Sequence, residues 1–150
     1  MMGLISHTNA RKIICGTEEK TFGLGAGIGA YLKGGEIIFL SGGLGAGKTI
    51  FTKGILSALD FDIDDVTSPS FALVNLYKAE DHDVYHIDLW RIDESNDPAF
   101  AVGLDEILED DDAIVIIEWA ERLGKMQFDR EVIRIEIEGD GDAPRMISIS

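Results

Sequence analysis

The residues that can do chemistry begin with Gly42-Gly43-Leu44-Gly45-Ala46-Gly47-Lys48-Thr49, a run with the spacing GxxxxGK(S/T). That spacing suits a nucleoside triphosphate. Glycines let a backbone wrap closely around an anion, so that successive N–H groups point inward at it. A helix that starts straight after the loop adds its unpaired N-terminal N–H groups and the positive end of its dipole. Gly43, Leu44, Gly45, Ala46 and Gly47 are therefore the candidate phosphate cradle. Lys48 is placed to reach the β and γ phosphates, and the Thr49 hydroxyl to bind Mg²⁺.

Two acids and a histidine are the next candidates. Ala113-Ile114-Val115-Ile116-Ile117 is a continuous apolar run that ends in Glu118-Trp119. Such a run reads as a strand buried on both faces, and open α/β sheets bind ligands at the C-terminal ends of their strands. A carboxylate there can hold Mg²⁺, directly or through water, or orient an attacking water. In Tyr85-His86-Ile87-Asp88-Leu89-Trp90-Arg91, strand alternation puts His86, Asp88 and Trp90 on one face. Asp88, an acid within an apolar strand, needs a partner: a metal, a hydroxyl or a lysine. His86 reads first as a satisfied structural histidine and second as a base, because a reactive role demands specific geometry.

Further features are open to two readings. Thr67-Ser68-Pro69-Ser70-Phe71 is either a switch segment that senses the terminal phosphate or a rigid turn capped by hydroxyls. Trp90 and Trp119 are either core residues or, at an exposed Trp119, a stacking or partner surface. Gly25-Ala26-Gly27-Ile28-Gly29-Ala30 fits the dinucleotide pattern GxGxxG/A, but it lies inside a helical stretch rather than in a turn that opens one. Close helix packing is the better account of those glycines. No NKxD guanine-reading motif is present, which argues against a Ras-like GTPase.

These residues must be held by particular elements. Arg11 to Cys15 forms a short strand. Thr17 is a helix N-cap, with Glu18 and Glu19 in the first turn favouring the dipole, and the helix runs to about Lys33. Glu36 to Ser41 is the buried strand before the glycine loop, and the helix after it sets Phe51, Ile55 and Leu59 on one face. Ala72–Tyr77 and Val84–Ile92 form an antiparallel hairpin. Pro98 starts a helix that extends to Leu108 with a break near Gly103. Glu131–Glu138 and Arg145–Ser150 are two last strands joined by the turn at 139–143. The expected architecture is α/β: one domain over residues 1–150, a P-loop NTPase-like fold, with a mixed, mainly parallel central sheet flanked by helices and antiparallel hairpins.

Composition narrows the function classes. Acids outnumber bases 28 to 13, for a net charge of −15, and no basic run interrupts this. Nucleic-acid binders draw affinity from neutralising phosphates, so direct tRNA or DNA binding by this chain alone is disfavoured. Cys15 is the only cysteine, which removes intramolecular disulfides and cysteine metal clusters. No apolar run approaches the ~20 residues needed to span a bilayer, and the first residues lack the long apolar core of a signal peptide. A cytoplasmic location is the simplest expectation.

The motifs together resemble the TsaE (YjeE) family, the ATPase of bacterial tRNA threonylcarbamoyladenosine biosynthesis. The resemblance rests on 44–49, on 67–71 with Leu73, Val74 and Tyr77, on 85–91, on Gly103-Leu104-Asp105-Glu106, and on Ile117-Glu118-Trp119-Ala120-Glu121-Arg122, in the family's order. It implies an ATPase that binds ATP and Mg²⁺ and works with the family's TsaB and TsaD proteins, which meet the tRNA in its place. It also implies that Thr49 and Glu118 are Mg²⁺ ligands, that Lys48, Asp88 and Glu118 are the catalytic set, and that Glu18 approaches the adenine side. Two positions depart from the family pattern: Gly43 stands where Asp is usual, and Trp90 where Tyr is usual. Gly43 leaves in question any contact that the usual acid makes to a neighbour. Two other classes fit the same loop: a small-molecule kinase with Asp88 as base, and a nucleotide-gated binding module without meaningful turnover.

Overall fold

The computed structural model describes residues 11–43, 45–67, 69, 72–93 and 97–150. The expectations for Leu44, Ser68, Ser70 and Phe71 lie outside the described residues. A strand that is apolar at every position has to sit where both faces are covered, and β5 (Ile114–Glu118) does so, with every residue buried. It pairs in parallel with β2 (Ile37–Ser41) on one side and β4 (Asp83–Asp88) on the other. Beyond them the sheet is completed by β1 (Arg11–Cys15), β3 (Val74–Lys78), β6 (Val132–Glu138) and β7 (Arg145–Ile149), in the order β1-β7-β6-β2-β5-β4-β3.

The parallel part is confined to the four central strands β6, β2, β5 and β4. The pairs β3–β4, β6–β7 and β1–β7 are antiparallel. Parallel and antiparallel pairings are thus equal in number, so "mainly parallel" holds for the centre of the sheet rather than the whole. The reason lies in the connections. A parallel neighbour needs a crossover, whereas the short links 79–82 and 139–144 can only reverse the chain.

Strand alternation divides the core. Ile38 and Leu40 of β2, with Ile114 and Ile116 of β5, face the helices α1 (Glu18–Tyr31) and α2 (Lys48–Ala58). Ile37, Val115 and Ile117 face the other way, onto Leu104 and Ile107 of the short helix α4 (Leu104–Ile107), which follows α3 (Pro98–Ala101). Each of these isoleucines is fully buried and contributes about 1.5–3 kcal/mol. Truncating Ile116 to Ala would cost about 2–5 kcal/mol.

Thr17 caps α1 as its type suggests: it is extended at φ −141°, and its hydroxyl accepts from Lys20 N–H at 3.2 Å. Two of the glycines of α1, Gly25 and Gly29, are explained by packing. A side chain at Gly29 would come within 2.5 Å of the Ile55 carbonyl oxygen, one at Gly25 would strike that of Phe51, and one at Gly54 would strike that of Phe22. The two helices therefore touch backbone to backbone, and the GxGxxG match has a structural cause.

Several boundaries shift. α1 ends at Tyr31, with Leu32 as its C-cap. The break expected near Gly103 is present: the stretch is two single turns, Pro98–Ala101 and Leu104–Ile107, parted at Gly103 in the left-handed region at φ +68°. β4 stops at Asp88, because Leu89 to Ile92 closes into a turn with Ile92 N–H on Leu89 O at 3.1 Å. Trp90 therefore leaves the strand face that it was expected to share with His86 and Asp88. Among the described residues, no helix is long and apolar enough to cross a membrane.

Candidate functional site

Parallel pairing brings three C-terminal strand ends abreast. Leu40 of β2 lies beside Glu118 of β5, and Glu118 lies beside Asp88 of β4. The glycine loop leaves β2 at this edge and enters α2 with Gly47 as N-cap, in the left-handed region at φ +105°. No side chain caps α2. Its first N–H groups therefore face the loop without a side-chain acceptor at the cap position, as anion binding at a helix start requires.

Lys48 turns from the first position of α2 toward the strand ends. Its Nζ lies 3.2 Å from Glu118 Oε1. The other carboxylate oxygen, Oε2, accepts from His86 Nε2–H at 2.5 Å. All three side chains are buried, as is Asp88. Burial pushes the Glu118 carboxyl up, but the His86 hydrogen bond, His86 when protonated and the Lys48 ammonium outweigh it and hold the pKa below the ordinary 4.5. His86 is thus a partner to the acid rather than a free base. Its Nδ1 is buried without a hydrogen-bond partner. Asp88 Oδ1 accepts from Trp90 N–H at 2.9 Å, which closes the turn after β4.

Trp119 follows Glu118 in the left-handed region at φ 61°. That conformation costs a non-glycine residue about 1–2 kcal/mol, and it swings the indole beneath the site. Lys48 Nζ and the Arg122 guanidinium each lie 5.5 Å from the ring centroid, and Trp90 packs against it at 5.1 Å. The two tryptophans pack on each other, Trp119 half-buried against the core and Trp90 exposed.

Two of the cavities lined by loop residues bear on the candidate site. One, of about 310 Å³, lies between Thr17 and Glu18 at the start of α1, Gly45 and Gly47 of the loop, and Asp142 and Arg145 beyond. The other, of about 290 Å³, is bounded by Gly43, Lys48, Trp119 and Glu121. Glu18 is thereby placed with the loop residues, and Thr49 is exposed on α2 beside Lys48. Gly43 is exposed, and a Cβ there would meet no atom within 4 Å. A side chain at this position would therefore meet no clash at its Cβ, and it would open into the cavity shared with Lys48, Trp119 and Glu121.

The oxygen set around Lys48 suits a hard cation that is shared with phosphate. Thr49 offers a hydroxyl, and Glu118 and Asp88 offer carboxylates. Among the described residues no cluster of three metal-ligating side chains exists.

Sequence reasoning missed Arg145. Its guanidinium donates from Nε to Ala46 O at 2.8 Å and from Nη2 to Gly45 O at 3.2 Å, which ties the last strand to the glycine loop. No residue-type pattern announces this, since an arginine at the start of a strand is ordinary. Thr67 is also more firmly held than its surroundings suggested: its N–H donates to Tyr77 OH at 3.1 Å, and its carbonyl accepts from the same hydroxyl at 2.9 Å and from Asn75 Nδ2 at 3.1 Å.

Fold and site define a class: an α/β protein with a glycine loop between a central parallel strand and a helix, and acids on the neighbouring strand ends. Comparison with known proteins gives the family. A family model described as "Threonylcarbamoyl adenosine biosynthesis protein TsaE" matches residues 15–147, and the chain belongs to this family. A "tRNA threonylcarbamoyladenosine biosynthesis protein TsaE" of Aquifex aeolicus is 38% identical over 113 residues, covering 75% of this chain and 78% of that protein. The protein of the same name in Mycobacterium tuberculosis is 34% identical over 125 residues, covering 79% and 74%. A crystal structure of Bacillus subtilis YdiB superposes with a TM-score of 0.71 at 30% identity, over 94% of this chain and 84% of that one.

Proposed function

We propose that this chain is an ATPase of tRNA threonylcarbamoyladenosine biosynthesis that binds and hydrolyses Mg-ATP in support of a TsaB–TsaD transfer complex. The observation that carries the reading is the buried Lys48–Glu118 pair at the mouth of the glycine loop, with Asp88 abreast on the next strand. The family membership supplies the pathway, and the geometry supports the chemistry.

The loop amides and the start of α2 bind the phosphates. Lys48 neutralises the β and γ oxygens, which compete with Glu118 for its ammonium. Thr49 and Glu118 are the residues that would hold Mg²⁺, which would supply charge neutralisation for the phosphates. Glu118, kept ionised by His86, orients the attacking water, and Asp88 contributes the second carboxylate. The net reaction adds water across the terminal phosphoanhydride to give ADP and inorganic phosphate. The acidic surface, with a net charge of −15, supports contact with tRNA through the partners rather than through this chain.

Steady-state phosphate release with purified TsaB and TsaD tests the assignment. Glu118→Gln should lower turnover at least about 100-fold, the scale of losing one electrostatic catalytic group, with nucleotide still bound. Equal hydrolysis by that variant would refute the role. Depletion of the protein in a bacterial host, followed by mass spectrometry of tRNA nucleosides, tests the pathway. Undiminished threonylcarbamoyladenosine would overturn it.

A further inference from the structure

We propose that Arg145 is a positioning residue for the phosphate loop: it holds the Gly45 and Ala46 carbonyls outward, so that the loop closes on itself and the Gly47 amide faces the anion. The proposal rests on the nucleotide-binding reading above. Arg145 opens β7 opposite Cys15 of β1, at the sheet edge next to the loop. Its guanidinium bonds two segments at once. Nε and Nη2 donate to Ala46 O and Gly45 O of the loop, while Nη2 also donates to Gly141 O at 3.2 Å and Nη1 donates to Ala143 O in the β6–β7 turn. Each of these acceptors is a backbone carbonyl.

Peptide planarity turns those bonds into a constraint on the binding side. In a trans peptide the N–H points opposite to the C=O of the same plane. Fixing Ala46 O toward Arg145 directs the Gly47 N–H the other way. Fixing Gly45 O directs the Ala46 N–H away as well, where it donates to Gly43 O at 3.2 Å and closes the loop. Gly45 and Gly47 are in the left-handed region at φ +77° and +105°, outside any helix or strand ladder that would set these planes. Arg145 supplies the missing constraint. A planar guanidinium suits the task because its five N–H groups lie in a fixed fork that reaches both segments. A lysine ammonium is a point charge on a flexible stem and cannot hold both in register.

The test is titration calorimetry with Mg-ATP and Mg-ADP on the wild-type chain, Lys48→Ala, Arg145→Ala and Arg145→Lys, each paired with its thermal midpoint. Arg145→Ala should bind about 10–100-fold more weakly, the effect of losing charge-assisted hydrogen bonds. Arg145→Lys should recover the midpoint but leave affinity about tenfold weak. Millimolar guanidinium chloride should tighten binding by Arg145→Ala and leave the wild type unchanged. Wild-type affinity in both Arg145 variants, alongside lost binding in Lys48→Ala, would overturn the proposal while the nucleotide reading stands. So would recovery of midpoint and affinity together in Arg145→Lys, which marks a role in folding alone. If Arg145→Ala does not fold, the affinity of Arg145→Lys decides by the same criterion. Absence of binding by the wild type would remove the nucleotide reading and this proposal with it.

Discussion

Removing His86 should expose how strongly the site depends on a partner for its buried acid. His86 is 1% exposed and Glu118 5%, and the Nε2–Oε2 contact between them is 2.5 Å. A hydrogen bond to a charged group contributes about 1.5–3 kcal/mol, and leaving a charged acceptor unsatisfied in the interior costs that much or more. His86→Ala also empties a packed site, so its total cost is about 3–6 kcal/mol. The cavity must be separated from the hydrogen bond. A double-mutant cycle of His86→Ala, Glu118→Gln and the pair does so, because both arms of the cycle contain the same cavity. Urea denaturation at pH 7 should give a coupling of about 1.5–3 kcal/mol between the two positions. His86→Gln, whose amide can present a donor at a similar reach, should recover most of it. A coupling below about 0.5 kcal/mol, within the usual additivity error, would mean that the contact does not hold the carboxylate and that Lys48 alone does.

Other perturbations follow from the same geometry. The Glu118 pKa is lowered in the folded chain, so its contribution to stability is fully present above the ordinary value of 4.5 and is lost as pH falls through the folded value. Denaturation midpoints measured from neutral to acidic pH should therefore fall more steeply below pH 4.5 in the wild type than in Glu118→Gln; parallel curves would contradict this. Two glycines of one helix should respond oppositely to alanine. Gly23 has open space around it and should gain about 0.5–1 kcal/mol, whereas Gly29 presses on the Ile55 carbonyl and should lose about 1–3 kcal/mol. Thr49→Val, at an exposed position of α2, should leave the fold intact but abolish the gain in ATP affinity on adding magnesium. Calorimetry with and without EDTA reads this directly.

The parts legible in the sequence were those with a local cause. The glycine loop is specified by residue types at fixed offsets. β5 declares itself by unbroken apolarity, and Thr17 and Pro98 mark helix starts by chemistry confined to one turn. Glu118 stood out because strand ends in open α/β sheets have a known side, and Asp88 because an acid within an apolar strand needs a partner; that Asp88 also ends its strand came only with the structure. What stayed hidden depends on pieces far apart in the chain. The share of antiparallel pairing depends on where β6, β7 and β1 dock. Trp90 was misplaced because a strand and the turn that ends it have similar composition. The pairing of His86 with Glu118 needed the β4–β5 register. Arg145 needed the knowledge that β7 lies against β1 at the loop's flank.

Cys15 faces Arg145 across the β1–β7 ladder, so the loop's outer brace and one wall of the cavity beside Glu18 come from opposite ends of the described chain. Contacts between residues this distant in sequence form late, after the loop between them has closed. On the ribosome the glycine loop, β5 and both acids emerge before the strand that carries Arg145. A nascent chain thus displays the parts of a nucleotide site before it has the means to fix their geometry. If Arg145 positions the loop as proposed, chains that stop short of β7 would bind nucleotide more weakly than chains that include it.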